Sequence, residues 1–258
     1  MDGIKGLLID VDGTLCLGDS IIPGTAEIIE KIRLSEIPFL VLSNNSSMSS
    51  EEYLGKLHRL GFNLKREELL TATEATVFYL KEKYPDARVM PLGMSGFVGE
   101  LIDGGINIVD DSLDVVLLAY DKTINFDKLN KAGHYIKQGS VFLATHPDML
   151  CNSSDGYDID IGAFIMILEK STGVKATIIG KPEDTMARLS MKRLNLPAKD
   201  IAVIGDRLYT DIAFANKNKM QSVLVLSGEA TVSDLKDSQV KPDYIIGSIL
   251  DLDKVVKF

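Results

Sequence analysis

The sequence predicts an α/β protein, a doubly wound and mainly parallel sheet into which a second, smaller α/β unit is inserted. Three observations carry that expectation. Short apolar runs alternate with helix-period segments along the whole of the 258 residues, the pattern of successive right-handed βαβ units. Several of the runs end in a polar cluster, the place where open parallel sheets bind ligands. The style of alternation at residues 1–78 also returns at 179–258, which leaves 79–178 as the inserted unit.

The bulk numbers bound the rest. Hydrophobic residues make up 45% and charged residues 25% of the chain, ordinary values for a globular protein with a full core. A formal net charge of -9 without a basic run argues against a nucleic-acid polymer or an anionic membrane as partner. The two cysteines, Cys16 and Cys151, are far apart and have no metal-site spacing, so neither zinc nor a disulfide framework is expected. No apolar stretch reaches the length of a membrane span, and MDGIKGLLID is too short and too acidic for a secretory signal. A cytoplasmic location is expected.

In order, Leu7 to Ile9 reads as a buried strand ending at Asp10, followed by Asp12, Gly13 and Thr14. Ala26 to Leu34 has helical spacing in Ile28, Ile29 and Ile32, and Phe39 to Leu42 is the next strand, running into Ser43, Asn44 and Asn45. Ser49 with Glu52, and Thr71 with Glu74, stand at capping-box spacing before two further helices, and Gly61 stops the first. In the inserted region, strands are expected at Arg88 to Leu92, Val115 to Tyr120 and Val141 to Thr145. Helices are expected at Phe97 to Ile102, Phe126 to Ile136 and Gly162 to Ser171, the last closed by Gly173. TIIG at 177–180 then resumes the opening style and leads into Lys181-Pro182, with a helix over Asp184 to Leu194. Strands at Ile201 to Ile204, Ser222 to Leu226 and 244–247 complete the chain.

Four strand ends thus present DVD, SNN, GKP and GDRLYTD. Taken singly each has a plain explanation: an Asp-Gly turn, a lysine in a surface turn, an aspartate capping a helix. Taken together they supply the carboxylates Asp10, Asp12, Asp206 and Asp211, the Lys181 ammonium, and the small hydrogen-bonding groups of Ser43 and Asn44. Close carboxylates repel, and hard oxygen ligands suit Mg²⁺ bound together with a phosphate. Lysine and small polar groups neutralise and orient the remaining phosphate oxygens.

These motifs, in this order along essentially the whole chain, resemble the haloacid dehalogenase (HAD) superfamily of aspartate-nucleophile phosphatases. The insertion between the second and third motifs is similar to the type-two α/β cap of its NagD-like and 4-nitrophenylphosphatase-like branch, as are ATHPD at 144–148 and Ser227-Gly228-Glu229. The resemblance implies a Rossmann-like core and an Mg²⁺-dependent phosphatase acting on small phosphorylated metabolites through an aspartyl-phosphate. It implies Asp10 as nucleophile and Asp12 as general acid and base. Metal would be held by Asp10, the Asp12 main-chain carbonyl and Asp206, with Asp211 steadying the metal's waters or Lys181. Ser43, Asn44, Asn45 and Lys181 would grip the phosphoryl group. Homodimers through the cap occur in this branch.

Two readings of His146 stay open: a side chain reaching the substrate's leaving group, or a turn histidine before Pro147. The chain departs from the branch's PGAG-like stretch at Asp158 to Ala163, which bears on substrate choice and not on the chemistry. Cys16 to Gly18 is expected to form a flap, and Cys16 has no histidine near it in sequence to make it a nucleophile. The competing expectation is a non-catalytic, phospho-accepting module of receiver type, which shares the acidic strand ends and the lysine but has about half the length.

Overall fold

The computed structural model describes residues 3–153 and 156–256. By its internal contacts the chain divides into two compact units, one made of residues 1–43, 54–70 and 181–258, the other of 44–53 and 71–180. The stretch expected as the insertion, 79–178, lies inside the second unit, which also takes in the segment after Ser43 and the Ala72–Lys83 helix.

The first unit carries a six-stranded sheet in the order Tyr244–Ile246, Gln221–Val225, Ile201–Gly205, Gly6–Asp10, Phe39–Ser43, Leu69–Thr71. Gly6–Asp10 pairs in parallel with Ile201–Gly205 on one side and Phe39–Ser43 on the other. All five of its residues are buried, which is why GLLID reads as an unbroken apolar run and not as an alternation. The flanking strands IAVIG and FLVLS are buried throughout for the same reason. Register fixes what happens next: Ile9 stands opposite Ile204 and Asp10 opposite Leu42, so Asp10, Ser43 and Asp206 leave the sheet at one edge. The Thr25–Leu34 helix buries Ile28, Ile29 and Ile32, the three residues whose spacing predicts it.

The second unit has its own five-stranded parallel sheet, ordered Thr177–Ile178, Val141–Ala144, Val115–Leu118, Arg88–Leu92, Asn107–Ile108. Its core joins Val116, Leu118 and Phe142 from the strands to Ile136, Ile165 and Leu168 from the helices. The Ser50–Arg59 helix starts with the expected capping box: Glu52 N donates to Ser49 Oγ at 3.2 Å, and Ser49 N to Glu52 Oε2 at 2.8 Å. Thr71 Oγ1 accepts from Glu74 N in the same way at the head of Ala72–Lys83.

Two expectations are corrected. TIIG does not return to the first sheet: Thr177 and Ile178 pair with Leu143 and Ala144, and Gly180 N donates to Thr145 O, so the run completes the second sheet before the chain leaves it. Two residues of β-branched sequence carry no information about which sheet they join. The strand from Val115 ends at Leu118 and not at Tyr120, whose N–H donates instead to Ser46 Oγ at 3.2 Å. A two-stranded antiparallel hairpin, Leu150–Ser153 with Gly156–Ile159, was not expected.

Candidate active site

The DVDGT segment is shaped by its backbone. Val11 O accepts from the N–H groups of Thr14, Leu15 and Cys16, and Gly13 N donates to Cys16 O at 2.7 Å. This tight turn brings Asp10 and Asp12 off one strand end with different surroundings: Asp10 is buried and Asp12 half-buried. Gly13 has φ 92, and a Cβ built there would stand 2.1 Å from Asp206 Oδ2, so both backbone conformation and space demand glycine. Cys16 and Leu17 then pair with Ile21 and Ser20 in a short antiparallel hairpin. Burial, and after it the nearby Asp12 carboxylate, push the Cys16 thiol well up, which removes it as a nucleophile.

Asp206 follows the Ile201–Gly205 strand, and Asp211 lies in the π-helical turn Leu208–Ile212 directly after it. Such turns widen a helix locally and recur at functional sites. Arg207 N donates to Asp211 Oδ2 at 3.1 Å. Lys181 then binds two acids at once, its Nζ donating to Asp10 Oδ1 at 2.5 Å and to Asp211 Oδ1 at 2.6 Å. Carboxylate oxygens of Asp10, Asp206 and Asp211 all lie within 4.8 Å of one another. Ser43, at the end of the neighbouring strand, is buried at the same sheet edge.

The electrostatics are those of an acid cluster removed from water. Burial first, then the charge of Asp211, raise the Asp10 carboxyl well above the ordinary carboxylate range, with Lys181 acting against them. Burial and Asp211 likewise raise Asp206 to about 7. Burial opposes the Lys181 ammonium, but the Asp10 and Asp211 carboxylates outweigh it and hold that group above its usual range. Three carboxylates against one ammonium leave formal charge for a divalent cation to balance. Asp206 adds a more specific sign. Its Oδ2 accepts from Glu229 N at 2.7 Å, whereas its buried Oδ1 has no hydrogen-bond partner among the described residues. An orphaned, buried carboxylate oxygen beside two more acids fits a metal ligand.

Sequence reasoning left Ser227 and Glu229 without a role. Ser227 Oγ donates to Gly13 O at 2.8 Å, and Glu229 holds Asp206 through its backbone N–H. The available signal was position: SGE follows the Gln221–Val225 strand, which neighbours Ile201–Gly205 and ends at the same edge.

Other expected site residues are grouped with the second unit. Asn44 Nδ2 donates to Asp148 Oδ2 at 3.2 Å, and Asn45 Oδ1 accepts from Ser47 N and Ser47 Oγ. His146 is buried, with Nδ1 3.3 Å from Asp148 Oδ2 and Nε2 3.8 Å from Asp160 Oδ1.

Comparison with known proteins decides what this geometry belongs to. Residues 7–107 match the haloacid dehalogenase-like hydrolase family, and 178–252 match the HAD-hydrolase-like family. An acid sugar phosphatase of Staphylococcus haemolyticus is 33% identical over 95% of this chain and 93% of its own length. The chain belongs to the haloacid dehalogenase-like hydrolases. Within that family it is a NagD-like phosphatase. The 4-nitrophenylphosphatase of Thermotoga maritima superposes with a TM-score of 0.93 at 32% identity, covering 99% of this chain and 98% of that one. NagD from Escherichia coli K-12 superposes with a TM-score of 0.89 at 26% identity, over 98% and 99% of the two chains. These matches run the full length of phosphatases, which decides for an enzyme over the receiver-type module. Among the described residues no helix is long and apolar enough to cross a membrane.

Proposed function

We propose that this HAD phosphatase is Mg²⁺-dependent and hydrolyses small phosphorylated metabolites through an aspartyl-phosphate on Asp10. The observation that carries the reading is the buried cluster of Asp10, Asp206 and Asp211 spanned by Lys181, with one Asp206 oxygen left over. Asp10, Asp206 and the main-chain carbonyl of Asp12 would hold the cation, which when bound supplies positive charge for the phosphoryl oxygens. Lys181 orients the Asp10 carboxylate and adds the charge that phosphoryl transfer needs, since that chemistry is chiefly positioning and neutralisation. Asp10 attacks phosphorus while the bond to the leaving oxygen breaks, and Asp12 gives that oxygen its proton. Water then attacks the phosphorus of the acyl phosphate, Asp12 takes back a proton, and inorganic phosphate departs from a regenerated Asp10. Asp12 is suited to that exchange because, unlike Asp10, it is only half-buried. Asp211 keeps Lys181 in place, and Ser43, Asn44 and Asn45 serve the phosphoryl group.

The names of the staphylococcal relatives put sugar phosphates first among candidate substrates. Cytoplasmic placement belongs to the same proposal, as does a homodimer joined through the second unit. Exposed apolar side chains on its hairpin, Leu150, Tyr157 and Ile159, support the dimer. The test is turnover of 4-nitrophenyl phosphate and of a panel of sugar phosphates with and without Mg²⁺. Asp10→Asn and chelator should each abolish release of inorganic phosphate; activity surviving either one rejects the mechanism.

A further inference from the structure

The loop after the Gln221–Val225 strand closes on Asp206 through several contacts at once. Gln221–Val225 pairs in parallel with Ile201–Gly205, Leu224 standing opposite Gly205, so Asp206 and the 227–230 loop leave neighbouring strands at one edge. Ser227 Oγ donates to Gly13 O at 2.8 Å, Glu229 N to Asp206 Oδ2 at 2.7 Å, and Ala230 N to the Asp206 main-chain carbonyl at 3.2 Å. A Cβ on Gly228 would stand 2.0 Å from Asp206 Oδ2 and 2.6 Å from Gly13 Cα, so only a residue without a side chain can come this close. The Glu229 carboxylate is tied down as well. Its Oε2 lies 2.9 Å from Arg207 Nε in an ion pair and accepts from Tyr209 OH at 3.4 Å. Both partners follow Asp206 within three residues, so the loop is fastened to the segment whose first residue it holds.

We infer that Glu229 is a positioning residue for Asp206: its carboxylate, fastened by Arg207, fixes the loop whose Glu229 N–H orients the Asp206 carboxylate for a divalent cation.

This rests on the metal site proposed above and adds to it a pair of side chains which that reading does not use. One accepted hydrogen bond is what separates the two Asp206 oxygens. Oδ2 takes the Glu229 N–H, and Oδ1 is the buried oxygen without a hydrogen-bond partner among the described residues. A looser 227–230 loop would let the carboxylate turn, and a cation whose ligand must first be ordered binds more weakly. Charge alone predicts the opposite for one variant. Behind burial and the charge of Asp211, Arg207 draws the Asp206 carboxyl down and Glu229 pushes it up, so both charges reach the site. Removing the Arg207 charge would by electrostatics alone tighten cation binding, whereas unfastening the loop weakens it.

The test uses the full chain and Mg²⁺ alone. In calorimetric titration, Glu229→Gln and Arg207→Gln should each weaken Mg²⁺ binding by about tenfold, a common cost of losing a group that orients a metal ligand. The double variant should bind no more weakly than either single one, because the two side chains act as a pair. Unchanged or tighter binding by Arg207→Gln, or additive losses, overturns the fastening. Amide hydrogen exchange of the metal-free protein decides the same point without a cation. The residue 229 amide should exchange several-fold faster in both variants, while the amides of Ile201–Gly205 keep their rates. Equal acceleration of both would show a general loss of stability, and an unchanged rate at residue 229 would show that the side chain fastens nothing; either result overturns the positioning role. Should the parent protein bind no Mg²⁺, the proposed metal site fails while exchange still decides the loop.

Discussion

Lys181 is the residue on which the acid cluster balances. It is almost wholly buried and donates to Asp10 and Asp211, so in the metal-free protein it is what makes those carboxylates tolerable. Removing one partner of a buried ion pair costs about 3–5 kcal/mol because the other charge is left behind. Lys181→Ala should therefore lower the metal-free melting temperature sharply, and Mg²⁺ should recover part of the loss by supplying charge to the same acids. Melting curves with and without Mg²⁺ check this; an equal loss in both would mean that the cation does not bind there. Gly13 makes a second, purely steric case. With φ 92 and only 2.1 Å between a new Cβ and Asp206 Oδ2, Gly13→Ala should destabilise by more than about 1 kcal/mol and weaken Mg²⁺ binding as Asp206 is displaced. Calorimetric titration with Mg²⁺ measures the second effect.

At the level of elements, the strands of the second sheet are tied at their starts. Arg88, opening Arg88–Leu92, donates to Asp114 through its side chain at 3.0 Å and its backbone N at 2.8 Å. Those bonds hold the Asp114 carboxyl down to about 2, below the roughly 3.9 of an unfolded aspartate. A depressed carboxyl stabilises the fold above the unfolded value, and that contribution is lost as pH falls through about 2. Asp114→Asn should thus unfold earlier in denaturant than the parent at about pH 6, with the difference shrinking steadily as the pH is lowered. A difference independent of pH would show that the carboxylate is not what matters. Both groups are solvent-exposed, so the effect is small.

The same scale shows what a sequence can disclose. GLLID, FLVLS and IAVIG were legible because strands covered on both faces leave a continuous apolar run. Ser49 with Glu52 was legible because capping is local chemistry. The Leu150–Ser153 and Gly156–Ile159 hairpin was not, since Leu150, Tyr157 and Ile159 are exposed and leave no inward face to read. Within the site, the acids and Lys181 announced themselves by type. Glu229 did not, because it acts through a backbone N–H that every residue but proline possesses. His146 was visible as a residue and Asp148 stands two places after it, but Asp160 lies in a segment that only tertiary packing brings to them.

For the whole molecule, the order of the strands in the first sheet has a consequence in time. One of the two strands that Gly6–Asp10 pairs with, Ile201–Gly205, lies nearly two hundred residues further along the chain. Long-range parallel pairing of that kind is slow because the closing loop must be ordered first. The second sheet draws every strand from residues 88–178 and can complete itself early. Pulsed hydrogen exchange during refolding should protect amides of Val115–Leu118 and Val141–Ala144 before those of Gly6–Asp10 and Ile201–Gly205. Simultaneous protection of both sheets would contradict this. Asp10, Lys181, Asp206 and Asp211 thus meet only after strands far apart in the chain have paired, so a chain whose first sheet is incomplete has Asp10 without the groups that surround it in the fold.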